Sequence, residues 1–161
     1  MKQILGKAVV ASVVAAVLAA PGAAQYRNKI DNEPAACRGS GPAVKVQIDG
    51  ITPGKGIVRV QLYRGTEADW LKKGRWLNRI EVPAHGREVA VCMPVPGPGK
   101  YAIAVRHDVN GNGETDLRTD GGGMSNNPAI SIFNLGRPGV DKTALNVGGG
   151  VKSLTIEMRY F

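Results

Sequence analysis

The clearest regularity in the chain is an alternation of apolar and polar positions that begins near residue 44. Val44, Val46 and Ile48 share one face and Lys45, Gln47 and Asp49 the other, which is the period of a half-buried strand. Thr52-Pro53-Gly54-Lys55-Gly56 reads as a turn, and Val58, Val60 and Leu62 resume the pattern beyond it. Two such runs joined by a short Pro/Gly loop predict a hairpin. Residues 80–82 and 87–93 predict further strands on either side of Pro83-Ala84-His85-Gly86. A rigid Pro/Gly turn at 94–99 then delivers the chain into 101–108, where Tyr101, Ile103 and Val105 share a face. Residues 131–133 and 143–147 read as short strands, and 151–160 as the last, with Val151, Leu154, Ile156 and Met158 apolar. One helix of about two turns is predicted at 66–74. Thr66 is its cap, Asp69 sits in capping-box position and Gly74 is its stop. About seven short strands with turn signals between them, plus one helix, describe an all-β, antiparallel β-sandwich.

The first 42 residues do not follow this pattern. Lys2 and Lys7 precede an uncharged run of Ala, Val and Leu at 8–20, and Pro21 and Gly22 break it. Small residues at Gly22 and Ala24 suit a peptidase, so residues 1–24 are predicted to be a signal peptide cleaved after Ala24. The apolar run is shorter than the roughly 18–20 residues that span a bilayer, so no transmembrane anchor is expected in the mature chain. No Cys lies near the cleavage site to carry a lipid. Residues 25–42 are polar and read as a flexible leader, leaving 43–161 as the sandwich domain. The expected location is periplasmic or secreted.

Composition changes this picture little. Glycine and proline are abundant and aromatics few, as suits strands and turns. Removal of Lys2 and Lys7 lowers the formal charge from +8 to +6. The basic residues are scattered along the sequence, with one short cluster at Lys72, Lys73 and Arg75 and no dense stripe interleaved with aromatics. No nucleic-acid partner is therefore expected. A basic surface attracted to anionic envelope polymers is the broader expectation. Cys37 and Cys92 are the two cysteines, and outside the cytoplasm an isolated pair is most simply one disulfide.

One segment carries candidate chemistry: Asp108-Val109-Asn110-Gly111-Asn112-Gly113-Glu114-Thr115-Asp116. Oxygen-bearing side chains occupy alternate positions, Gly113 stands sixth and Asp116 ninth, the spacing of a calcium loop. Asp108, Asn110, Asn112, the carbonyl of Glu114 and Asp116 would supply most of the six to eight oxygens that calcium takes. The twelfth position, a bidentate Glu in EF-hands, is Thr119, and a strand leads in where an EF-hand has a helix. Affinity should be weak unless Asp120 or another loop completes the shell, although millimolar extracellular calcium would fill it. Asn110-Gly111 and Asn112-Gly113 are also strong turn dipeptides, and a metal-free turn is the competing account.

Other candidates are weaker. His107 adjoins Asp108, but neighbouring residues on a strand point to opposite faces, so the carboxylate cannot simply orient the imidazole. Ser125 has no evident partner and no Gly-x-Ser-x-Gly elbow exists. An uncharacterised hydrolase using His107 is the least favoured reading. Trp70 and Trp76 are expected to pack the helix onto the sandwich; alternatively they grip a sugar ring.

The order Val46-x-Ile48-x-Gly50, Gly56 to Tyr63, Gly99-x-Tyr101, then His107-Asp108-x-Asn110-x-Asn112-Gly113-x-x-Asp116 and Gly123-Met124-Ser125-Asn126-Asn127 resembles domain of unknown function 2141. This is a family of exported bacterial proteins. The resemblance covers about residues 43–160 and implies an immunoglobulin- or transthyretin-like sandwich and an envelope or secreted location. It implies no activity. The chain departs from the family at 120–124, a short Gly-rich stretch expected to leave the loop floppy. The combined expectation is a non-enzymatic envelope module. Calcium at the loop would order His107, Ser125, Asn126 and Asn127 as a surface for a polymer or protein partner. The alternative is a metal-free module that binds carbohydrate or another envelope polymer through Trp70, Trp76 and the basic residues.

Overall fold

In a computed structural model, residues 26–130 and 136–160 are described. They form an all-β sandwich of two sheets. The strands are β1 (Asn28–Lys29), β2 (Ala43–Asp49), β3 (Ile57–Arg64), β4 (Trp76–Pro83), β5 (Glu88–Pro94), β6 (Gly99–Asp108), β7 (Gly121–Met124), β8 (Leu145–Val147), β9 (Val151–Glu157) and β10 (Arg159–Tyr160). The larger sheet runs β1-β4-β3-β6-β7-β10, with β8 also on β6, and the smaller runs β5-β2-β9.

The period-2 pattern predicted the inner faces correctly. Val44, Val46 and Ile48 from β2 are buried in one cluster with Val58, Val60 and Leu62 from β3 and Ile103 and Val105 from β6. Removing this much aliphatic surface from water is the main stabilising term. Two strand pairs are parallel, β1 with β4 and β2 with β9, so the sandwich is not wholly antiparallel as expected. The expected last strand divides at Met158. Its first part, β9, belongs to the small sheet, and its second, β10, crosses to pair with β7.

Three local expectations are corrected. Residues 66–74 form successive turns in place of a helix. The amide of Trp70 reaches Thr66 O, but Leu71 adopts φ 53, a left-handed conformation that no helix continues through. The only α-helical turn among the described residues is α1 (Val140–Thr143). The leader, in turn, is docked: β1 pairs with β4, a 3-10 turn covers Pro34–Cys37, and Cys37 and Cys92 form the expected disulfide.

The Gly-rich stretch expected to be floppy is strand β7. Its glycines admit close neighbours: a Cβ on Gly121 would strike the Tyr160 ring, and one on Gly123 would lie 2.6 Å from Ile156 Cγ2. The strand predicted at 131–133 and the signal segment at 1–24 lie outside the described residues.

Candidate metal loop and its surroundings

Strand β6 ends at Asp108, where Gly111 (φ 71) and Gly113 (φ 82) turn the chain through left-handed conformations. The loop is built from its own side chains. Asp108 Oδ2 accepts the Gly113 amide at 2.8 Å, closing the first position onto the sixth. Asn110 Oδ1 accepts the Asn112 amide at 3.1 Å, and Asn112 Oδ1 accepts that of Glu114 at 2.8 Å. The two side-chain amides donate to one oxygen, Asp116 Oδ2, at 2.7 and 2.9 Å. Each Asn carbonyl oxygen keeps a second lone pair. The Glu114 residue itself is exposed.

Asp108 is only 2% exposed, and its Oδ1 is buried with no hydrogen-bond partner. A buried carboxylate oxygen left unsatisfied is costly, because water has been removed and nothing replaces it. The nearest cation is Arg106, whose Nη2 lies 3.6 Å from Oδ2. Arg106 also donates to Gly113 O at 2.8 Å and Thr115 Oγ1 at 2.5 Å, fastening the loop to the sheet. Burial, with the nearby charge of Arg59, lowers the Arg106 pKa from its ordinary value, and Asp108 and Asp120 oppose the shift. Arg106 was not singled out in the sequence, although its place two residues before Asp108 on one strand face marks it as a neighbour.

Asp120, expected to complete a metal shell, has another task. Its Oδ1 accepts the Val109 amide at 3.1 Å and its Oδ2 the Asp116 amide at 3.0 Å, so it ties the base of the loop. Among the described residues no group of three or more His, Cys, Asp or Glu is placed to hold a metal ion. The oxygens the loop can offer come from two carboxylates, Asp108 and Asp116, two amides and the backbone. Such an all-oxygen, amide-rich set suits a hard cation bound weakly. The unsatisfied Asp108 Oδ1 is the observation that fits the cation.

Of the four residues expected as a surface beside the loop, His107 and Ser125 are buried, while Asn126 and Asn127 are exposed. His107 is 0% exposed, with Nδ1 2.8 Å from the Tyr160 hydroxyl and Nε2 2.9 Å from Lys55 O. A neutral ring therefore donates from Nε2 and accepts at Nδ1, and it holds β6, β10 and the 52–56 turn together. Buried and bonded at both nitrogens, the ring has no open contact with solvent. Ser125 is likewise 0% exposed; its Oγ accepts the Ile103 amide at 3.0 Å and donates to Thr143 O at 2.5 Å.

Asn126 (φ 66) donates to Ala144 O at 2.9 Å. Asn127 (φ 47) donates to Thr155 O at 3.0 Å and accepts the Glu157 amide at 2.8 Å. These three side chains do the work of a missing strand. Trp70 and Trp76 are each 7% exposed. Trp70 donates Nε1–H to Pro138 O at 2.8 Å and stands edge-on to Tyr63, while Arg79 covers the Trp76 ring at 4.1 Å from its centroid. Both indoles are packed as expected, and neither offers a bare face to a sugar.

A family model described as "Uncharacterized protein conserved in bacteria (DUF2141)" matches residues 46–155, from inside β2 to inside β9 and including the whole loop. The match takes in both sheets and the candidate metal loop, so the chain belongs to the DUF2141 family. No curated protein and no solved structure matches it.

Proposed function

We propose that this chain is an exported, non-enzymatic module of the bacterial cell envelope whose 108–116 loop binds calcium as a structural ion. The observation that carries the metal is the buried Asp108 carboxylate with one oxygen unsatisfied, set in a loop of calcium spacing. Bound calcium would neutralise Asp108 and Asp116 and accept lone pairs from Asn110, Asn112 and the Glu114 carbonyl. Asp120 stays at its backbone amides. The 1–24 segment supports export, and the Cys37–Cys92 disulfide suits an oxidising compartment.

Calorimetry with calcium and with chelator tests the ion. Calcium raises the melting temperature of the wild type, and Asp108→Ala or Asp116→Ala abolishes the difference. Equal melting in calcium and chelator removes the metal. Cell fractionation with N-terminal sequencing tests export, and a chain recovered uncleaved from the cytoplasm refutes it.

A further inference from the structure

The basic residues, scattered in the sequence, are gathered by the fold. On the outer face of the large sheet an open cleft of about 530 Å³ is lined by Arg27, Lys29, Lys72, Lys73, Arg79 and Trp76. Gln61, Tyr63, Leu71 and Gly74 complete it, and no carboxylate is among the lining residues. Glu81, the carboxylate that pairs with the lining residues Lys29 and Arg79, is shared three ways. Glu81 Oε1 takes Arg59 Nε at 2.7 Å and lies 3.7 Å from Arg79 Nη1, while Oε2 lies 3.5 Å from Lys29 Nζ. Among the described residues Arg27, Lys72 and Lys73 have no ion pair.

Two further observations set this cleft apart from an ordinary solvated basic surface. Arg79 Nε is buried without a hydrogen-bond partner, although its guanidinium is locked over Trp76. Burial, and next the charge of Arg59, also lower the pKa of Arg79 from its ordinary value. In addition, the cleft contains two of the four non-glycine residues with positive φ among the described residues, Arg27 (66) and Leu71 (53). Backbone held in this region is strained and collects at binding sites.

We propose that this cleft binds a phosphoryl-bearing ligand. Charge selects that chemistry. A single carboxylate would neutralise one of five cations, whereas a phosphate brings up to two charges and three strong acceptor oxygens in a tetrahedron. Arg79 supplies a fixed planar donor, and Lys72 and Lys73 supply mobile point charges that adapt to the remaining oxygens. The site lies over a sheet face on which strands β3 and β4 pair with each other. This proposal does not rest on calcium.

The test is titration calorimetry of protein expressed from the full chain with sodium tripolyphosphate, in EDTA so that calcium plays no part. A Kd below about 100 µM is expected at low ionic strength, weakening steeply with salt. Arg79→Met, and separately the exposed pair Lys72→Met with Lys73→Met, should each weaken it about tenfold or more. Lys142→Met with Lys152→Met removes the same charge elsewhere and should leave it unchanged. Equal weakening by the two lysine pairs, or no binding by the wild type, overturns the proposal. A parallel arm uses phosphatidylcholine vesicles with and without phosphatidate. Capture by phosphatidate vesicles that tripolyphosphate reverses would support a lipid phosphate as the source. Tripolyphosphate binding without vesicle capture would support a soluble one.

Discussion

Two neighbouring stretches, 108–120 and 125–127, both rely on short polar side chains, Asn above all, and the fold uses them in opposite ways. The second closes over long distances: the side chains of Ser125, Asn126 and Asn127 bond to residues 16 to 30 positions away, on β6, α1, the residue after α1 and β9. The first closes on itself, with side-chain bonds spanning only 2 to 11 positions, and leaves one buried oxygen over. Polar side chains committed to distant backbone are part of the architecture. A loop that satisfies itself locally and incompletely retains capacity for something from outside.

Four measurements would break or sharpen this contrast. The largest effect is expected for Ser125→Val, which strands the buried Ile103 amide and Thr143 carbonyl and should cost about 3 kcal/mol. Urea denaturation should give that loss equally in calcium and in chelator. A loss of the calcium response in this variant would instead make the two stretches one unit.

Next comes the wild type itself. With a Kd of about 10⁻⁴–10⁻³ M, 10 mM calcium should add about 1.5–2.5 kcal/mol, a rise in melting temperature of roughly 5–10 °C. Asn127→Ala removes two exposed bonds and should cost about 1 kcal/mol, again with no dependence on calcium. The smallest effect should be that of Asp108→Asn in chelator, about 0.5 kcal/mol or less by chemical denaturation, because the change removes an ill-compensated buried charge. The same variant should lose its calcium response entirely. A large loss in chelator would show that the carboxylate already has all the partners it needs.

Alternation made the strands legible. Each of β2, β3 and β6 has one buried face, and a period of two is set by backbone geometry alone. Strand β7 was not legible, because Gly121, Gly122 and Gly123 carry no side chains to alternate; for Gly121 and Gly123 the reason for being glycine is a neighbour more than thirty residues away. The helix expected at 66–74 had its stop and cap signals, but Thr66 Oγ1 donates to Asp69 Oδ2, and Leu71 departs from helical geometry. At the site, spacing identified Asp108, Asn110, Asn112 and Asp116 as one loop, since all are local. It misplaced Asp120, whose two backbone partners depend on how the loop folds back. The basic cleft was illegible for the same reason: Arg27, Lys72 and Arg79 meet only through the pairing of β1 with β4 and the turns before it.

The parallel pairing of β2 with β9 has a consequence in time. Ala43 lies opposite Val151 and Asp49 opposite Glu157, so the centre strand of the small sheet waits for residues 108 positions further along the chain. Contacts of such separation are slow to form, and a chain released residue by residue cannot make them early. On the proposed route across a membrane, that delay holds the polypeptide open while it must be threaded. It also leaves one edge of β2 bare until β9 arrives, and a bare edge invites pairing with another chain. Delivery that stalls before Val151 is therefore the point at which this protein is most exposed to aggregation.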